Sequence, residues 1–232
     1  RLNVRGKHEL RAFDGKTLKP IEVKGIPDGT VSSVSTRRKS HEIVLNMVSA
    51  RSPGDVYVLH PATGKLMLYA GRDLWFFDRA SKASIRLSPQ QRLLGQASNG
   101  DVVTVNLARD YQATSAVEED TQDGDRQTRR SQRLSLSAST PDATYARIDM
   151  WVDAASARPL KARFYSESGK LLKTAYYRRY QTVFGIQRPT ETVIIDGLEP
   201  DWVTVMRYSD WVKREVPETW LQRDYLPRFK PE

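Results

Sequence analysis

Three histidines, His8, His41 and His60, are scattered along this 232-residue chain. His8-Glu9 and His41-Glu42 begin as a His-Glu-x-x-His zinc motif begins, but no second histidine follows at the needed spacing. There is no cysteine, which removes disulfides, thiolate nucleophiles and cysteine-based metal sites. No Gly-x-Ser-x-Gly elbow and no Gly-x-Gly-x-x-Gly after a strand occurs, and Gly64-Lys65 lacks the first glycine and the Ser/Thr of a phosphate loop. Asp149 and Asp153 share one face of a strand, as an acid/base pair flanking a sugar would. Residues four apart on a strand lie about 13 Å apart along it, too wide for that chemistry. The acidic run Glu118 to Asp125 has neither the sixth-position glycine nor the final glutamate of a calcium loop. Catalysis by a recognisable set of side chains is therefore not expected, and neither is a metal or cofactor.

The remaining signal is charge and aromatic content. Lys and Arg number 37 against 28 Asp and Glu, a formal net charge of +9. This favours anionic partners such as a membrane surface or an acidic protein domain, without choosing among them. Basic and aromatic residues interleave in Lys173–Gln181 (KTAYYRRYQ) and Met206–Arg214 (MRYSDWVKR). Such a face can stack bases and neutralise phosphates. It can equally be an outer sheet face whose Tyr and Arg pack across strands. No RNA-binding strand signature accompanies it, so nucleic acid is not expected. The longest unbroken apolar runs are about five residues, against the roughly 20 needed for a membrane-spanning helix. The chain begins at Arg1 without an initiator Met, as after removal of a signal peptide or trimming.

The elements that must position any site are strands. In Tyr145–Asp153 (YARIDMWVD), Ala146, Ile148, Met150 and Val152 alternate with Tyr145, Arg147, Asp149, Trp151 and Asp153. Leu160, Ala162 and Phe164 alternate with Lys161, Arg163 and Tyr165. Leu2–Asp14, His41–Ser49, Gly54–His60, Lys65–Ala70, Arg133–Ser139, Glu191–Gly197 and Trp202–Trp211 read as further strands, rich in β-branched and aromatic residues. Turn signals stand at Asp14-Gly15, Pro27-Asp28-Gly29, Pro53-Gly54, Thr63-Gly64, Ser168-Gly169 and Asp196-Gly197. About ten strands in sequential hairpins predict one antiparallel meander in a single domain over 1–232. Helix signals are few. One short helix is expected from Ser88-Pro89 through Leu93-Leu94 and one after Pro217, ended by Pro227 and Pro231, while Val105–Tyr111 reads as a short helix or a strand end. The polar stretch between Val117 and Gln132 reads as a long hairpin tip.

The stretch Gly71–Tyr111 (GRDLWFFDRASKASIRLSPQQRLLGQASNGDVVTVNLARDY) resembles the outer-membrane lipoprotein-sorting proteins of the LolA-like periplasmic carrier superfamily. The resemblance rests on the Leu-Trp-aromatic strand, the basic strand after it, the Leu-Leu-Gly element and the Asp-Tyr pair. Residues 146–181 are similar to the family's later pattern of strand, Pro-containing connection, strand, Gly-Lys turn and strand. Members carry an N-terminal helix before the first strand, whereas this chain reads as strand from its start. Either that helix was cut away or the cavity lacks part of its lid.

The resemblance implies a mainly β (α+β) fold: a strongly curved antiparallel sheet forming an incomplete β-barrel closed by a few short helices, LolA/LolB-like. It implies a monomeric, non-enzymatic periplasmic carrier whose apolar cavity binds a lipid or lipoprotein acyl chain and moves it between the inner and outer membranes. An RND-type inner-membrane exporter and an outer-membrane acceptor are the partners it suggests. Leu45, Met47, Val58, Met67, Tyr69, Trp75, Phe77, Leu93, Leu94, Val103, Leu107, Met150, Val152 and Phe164 are the expected cavity lining, with Leu93 and Leu94 filling it when empty. Each is also an ordinary core residue, and the inward parity of Leu74–Phe77 stays open because all four are apolar. The alternative is a solid β module that binds a protein or polyanion through the Tyr/Arg face.

Overall fold

The computed structural model describes residues 4–14, 33–36, 39–42, 45–49, 54–60, 65–70, 72–94, 97–98, 100–101, 105–213 and 217–230. The strands are β1 (Val4–Asp14), β2 (Ser33–Thr36), β3 (Lys39–Glu42), β4 (Leu45–Ser49), β5 (Gly54–His60), β6 (Lys65–Ala70), β7 (Asp73–Asp78), β8 (Ala83–Leu87), β9 (Arg92–Leu94) and β10 (Ala97–Ser98). A four-residue helix, α1 (Leu107–Asp110), precedes β11 (Tyr111–Gln122), β12 (Thr128–Ala138), β13 (Arg147–Asp153), β14 (Pro159–Tyr165), β15 (Leu171–Val183), β16 (Ile186–Asp196) and β17 (Trp202–Lys213). Two 3₁₀ segments follow, Glu218–Leu221 and Arg223–Arg228.

Thirteen strands form one antiparallel sheet in the order β11-β12-β13-β14-β15-β16-β17-β1-β4-β5-β6-β7-β8. It is strongly curved and does not close, leaving β11 and β8 as its ends. It is two meanders, β11–β17 and β4–β8, rather than one. β1 lies between them, pairing with β17 from Val4↔Lys213 to Asp14↔Trp202 and with β4 over Arg5–His8. Pairs β2–β3 and β9–β10 stand apart from the sheet.

Alternation divides the sheet's side chains between two apolar clusters. The larger joins Met67, Tyr69 and Leu74 of one meander to Leu136, Ile148, Met150, Phe164, Ala175, Ile194 and Met206 of the other. Strands so distant in sheet order meet only across the inside of the curve, so this is the concave face. On the opposite face of β6 and β7, Leu66, Leu68 and Phe77 are covered by Trp220, Leu226 and Phe229 from the 3₁₀ segments. The Trp220 and Phe229 rings meet edge to face, 4.9 Å between centroids.

Four expectations change. The segment from Ser88 forms no helix: Gln91 N donates to Ser88 O at 3.2 Å, closing one turn, and the chain then extends into β9. One turn fixes several dihedrals for a single hydrogen bond, and the pairing of Arg92–Leu94 with Ala97–Ser98 supplies the competing bonds. The polar stretch from 118 to 130 is mostly strand, with a turn confined to 123–127. Its charges pair across the hairpin, Arg130 with Glu118 at 2.7 Å and Arg129 with Asp123 at 3.1 Å. Asp123 Oδ1 accepts from the N–H groups of Asp125 and Gln127 and so builds the turn itself. Pro227 lies inside the second 3₁₀ segment rather than ending the helix. Residues 41–49 divide between β3 and β4 instead of forming one strand.

The Ser168-Gly169 turn is present, with Gly169 at φ 78°. A further hairpin turn sits at Phe184-Gly185, both at positive φ (52° and 79°), as a two-residue loop matched to strand twist requires. The turns expected at Asp14-Gly15, Pro27-Asp28-Gly29, Pro53-Gly54 and Thr63-Gly64 lie wholly or partly outside the described residues.

Candidate functional site

The concave face is built from one row of each strand. Ile148 and Met150 on β13, Ala162 and Phe164 on β14, Lys173, Ala175 and Tyr177 on β15, Thr192 and Ile194 on β16, and Met206 and Tyr208 on β17 point inward. The alternate row faces out. Over this face lie Gly100, Asp101 and residues 105–110, from between β10 and β11, which we term the lid. Its helix α1 is capped by Asn106, whose side-chain oxygen accepts from Arg109 N at 3.0 Å.

A cavity of about 80 Å³ lies between lid and sheet. Val105 and Leu107 line it from the lid, Phe164, Ile194 and Met206 from the sheet. Its polar edge is an ion pair: Lys173 Nζ lies 2.6 Å from Asp101 Oδ2, with side chains 9% and 8% exposed. Asp101 also accepts from Ser98 N at 2.7 Å and from the Tyr145 hydroxyl. The Tyr145 and Ser98 hydroxyls lie 3.0 Å apart, and Tyr145 N donates to the Tyr111 hydroxyl at 3.0 Å. Burial, reinforced by the Asp101 carboxylate, raises the Tyr145 hydroxyl well above its ordinary pKa. These bonds supply the partners that a charge removed from water requires.

Two further contacts hold the lid. Arg109 Nη2 donates to the Tyr69 hydroxyl at 3.0 Å and to Oδ2 of the buried Asp110 at 2.8 Å, while Nε donates to Asp110 Oδ1 at 2.6 Å. Gly100 packs so tightly that a Cβ there would lie 2.3 Å from Thr144 Cγ2. Only a residue without a side chain allows that approach.

Of the expected lining residues, Met67, Tyr69, Met150 and Phe164 are buried together in the concave cluster, and Leu107 and Val152 pack against it. Trp75 and Phe77 lie on the other face, beneath the 3₁₀ segments, while Leu74 and Phe76 take the inward row. β6 and β7 are covered on both faces, so their sequences carry no polar row to mark the outside. Leu45 and Met47 lie on β4, Val58 on β5, and Leu93 and Leu94 on β9; Met47 pairs with Tyr57 and Val58 with Leu66. Val103 lies outside the described residues. The sequence reading did not single out Asp101, Lys173, Ile194 or Met206. The signal for Lys173 was its place two and four residues before Ala175 and Tyr177, in the inward row.

The outer Tyr/Arg face is internally matched. Buried Glu191 meets Arg207 at 2.9 Å and Arg179 at 3.2 Å, and Arg178 binds Asp125 at 2.5 Å. Trp151 donates from Nε1 to Glu119 at 2.5 Å and lies under the Lys161 ammonium, 4.2 Å from its ring centroid. Burial, aided by neighbouring Arg163, lowers the Lys161 pKa. Asp149 is buried on Arg147 at 2.8 Å rather than solvent-facing, and Asp153 caps the turn to β14 by accepting from the Ser156 N–H at 2.8 Å. Among the described residues no group of acidic or histidine side chains is arranged to hold a metal ion.

A family model described as "Uncharacterized protein" matches residues 56–228. The chain belongs to this family. Among curated proteins none matches. Solved structures show its fold to be that of the LolA superfamily. A LolA superfamily protein from Nitrosomonas europaea superposes with a TM-score of 0.75 at 29% identity, over 96% of this chain and 91% of that one. An outer membrane lipoprotein-sorting protein domain from Vibrio parahaemolyticus superposes at 0.69 with 17% identity, over 97% and 92%. A DUF1329 family protein from Desulfovibrio piger gives 0.72 at 16% identity, over 97% and 91%. The Asp101–Lys173 pair sits where the incomplete barrel and its lid meet.

Proposed function

We propose that the protein is a non-enzymatic periplasmic carrier that holds the acyl chain of a lipid or lipoprotein against the concave face and moves it between inner and outer membranes. The observation that carries this reading is the roofed apolar face itself. The lid residues cover inward rows that a self-contained sandwich would close with a second sheet. The LolA-superfamily likeness supports the same reading. Burial stabilises an acyl chain by about 0.8 kcal/mol per CH₂, so a chain of about sixteen carbons gains on the order of 10 kcal/mol before ordering and association costs. Drug-sized ligand pockets run from about 300 Å³ upward. The cavity of about 80 Å³ is the closed form, and loading requires the lid to lift.

Met67, Tyr69, Leu107, Met150, Val152 and Phe164 line the loaded site in this reading, with Leu45 and Met47 on β4 and Leu93 and Leu94 on β9 extending it. The net charge of +9 serves docking at anionic headgroups or at an acidic domain of an RND-type exporter, with release to an outer-membrane acceptor. The test is mass spectrometry of lipids extracted from protein purified without detergent, paired with uptake of added phospholipid. A stoichiometric lipid supports the carrier and names its cargo class. A lipid-free protein that also takes up none overturns it.

A further inference from the structure

On the outer face of β12–β14 the cations outnumber the carboxylates that could pair with them. Arg133, Trp151, Lys161 and Tyr176 stand side by side in one line across β12, β13, β14 and β15. The β11–β12 hairpin folds over this line. Thr121 on β11 and Lys161 on β14 are three strands apart, which in a flat sheet is about 14 Å. Yet Lys161 Nζ donates to Thr121 Oγ1 at 2.6 Å, and Glu119, also on β11, accepts from Trp151 Nε1 on β13. At the hairpin tip Asp125 accepts from Arg178 of β15, and a Cβ on Gly124 would lie 2.6 Å from Arg178 Cγ. Trp151 is buried beneath this cover.

Three cations crowd the covered indole. The Lys161 ammonium lies 4.2 Å and the Arg163 guanidinium 5.4 Å from its ring centroid. Arg133, beside Trp151 in register, has a buried Nε with no hydrogen-bond partner. None of the three has a carboxylate at ion-pair distance among the described residues. The acidic groups around them are engaged elsewhere. Asp149, across from Arg163 in register, is held by Arg147 at 2.8 Å, and Asp153 caps its own turn. Glu118 and Asp120, in the alternate row of β11, are held by Arg130. Glu119 takes the indole N–H, and its pull on Lys161 is outweighed by burial and by Arg163. One cation is enough to cover an indole face, and further like charges beside it repel one another.

We propose that Arg133, Lys161 and Arg163 form a binding site for a phosphate group on the outer wall of the sheet. Two guanidiniums and an ammonium supply donors from neighbouring strands, and a tetrahedral oxyanion has oxygens enough for all three. Thr121 and the Trp151 ring fix the Lys161 head, so that donor is placed before the anion arrives. Arg163 is exposed and gives the group its way in. The site lies on the face of the sheet opposite the cavity, uses residues of β12–β14 only, and does not depend on the carrier reading. A lipid headgroup and a soluble phosphate ester present the same chemistry to it.

The test follows the indole N–H signal of Trp151 in the full chain, assigned by its loss in Trp151→Phe. Inorganic phosphate is expected to shift it saturably, and chloride at equal ionic strength is not. Arg133→Gln/Arg163→Gln should weaken phosphate about tenfold or more, as loss of charged hydrogen bonds does. Lys65→Gln/Lys82→Gln removes the same charge from the other meander and should leave binding unchanged. Arg163→Gln alone, at an exposed position, gives the readout if the double variant does not fold. Co-sedimentation with phosphatidylglycerol vesicles, against phosphatidylcholine vesicles, then separates the two sources. Vesicle binding that falls tenfold in the site variant and not in the control assigns the phosphate to a lipid headgroup. Saturable phosphate binding without that fall assigns it to a soluble ester, and either result supports the site. A Trp151 signal that phosphate moves no more than chloride, together with equal vesicle binding by the site and control variants, overturns it. A protein that holds no lipid in its cavity overturns the carrier and leaves this site standing.

Discussion

The Arg109 guanidinium reaches from the lid helix to the Tyr69 hydroxyl on β6, 3.0 Å away, and so joins the segment over the cavity to the meander opposite its own strand β11. Tyr69→Phe removes this acceptor while leaving the ring buried and Arg109 on Asp110. We expect a stability loss of about 0.5–1.5 kcal/mol by urea denaturation and faster hydrogen exchange at 107–110. Unchanged exchange there would mean that the bond does not hold the lid.

Gly100 offers a way to lift the lid without touching a charge. A methyl at this position meets Thr144 Cγ2 at 2.3 Å, and a β-branched side chain has little room to turn away. Gly100→Ala is expected to destabilise the closed protein by about 1–3 kcal/mol, as overpacking does. Gly100→Ala combined with Thr144→Ala removes both clashing atoms, Cγ2 and Oγ1, and should recover part of that loss. A single variant as stable as the native protein would place the lid farther from Thr144.

Alkaline pH acts on the same region. Burial raises the pKa of Tyr145, helped by Asp101, and that of Tyr177, and pushes Tyr208 up to about 12. An unfolded tyrosine ionises near pH 10, so above that pH the folded chain binds more protons than the unfolded one. The stability these groups contribute is complete below about pH 10 and falls as pH rises toward 12. Urea midpoints should drop across that window, with phenolate absorbance from these residues appearing only with unfolding. Ionisation of all ten tyrosines near pH 10 with the fold intact would contradict the burial.

The outer cluster is separable from the cavity. Phe229 is 1% exposed against Trp220 beneath β6 and β7. Phe229→Ala is expected to destabilise by about 3–5 kcal/mol while leaving amphiphile binding in the folded fraction unchanged. Lost binding at full folding would show that the two faces of β6 and β7 are coupled.

What was legible in the sequence follows the physics of two-sided strands. β13 and β14 could be read to the residue, because one row meets solvent or ions and the other meets the core. Leu74–Phe77 could not, because the 3₁₀ segments bury its second face and erase the polar row. The β11–β12 hairpin was hidden by its own charges, whose pairing across the strands is invisible to a hydropathy pattern. Lys173 and Asp101 were missed for a related reason. Each reads alone as a surface charge, one within a Lys/Tyr/Arg run and the other after an Asn-Gly turn signal, and only the fold brings them together.

The place of β1 between the two meanders bears on how the sheet assembles. Val4 pairs with Lys213, so the seam that unites the halves joins strands far apart in the sequence. The β4–β8 half can zip up beside β1 through local hairpins, but the long β1–β17 ladder needs a strand from the other meander. Pairing at such sequence separation is slow, and an unpaired β1 edge is exposed to other chains until it forms. Closing the β1–β17 seam is therefore the slow step that this strand order imposes on folding.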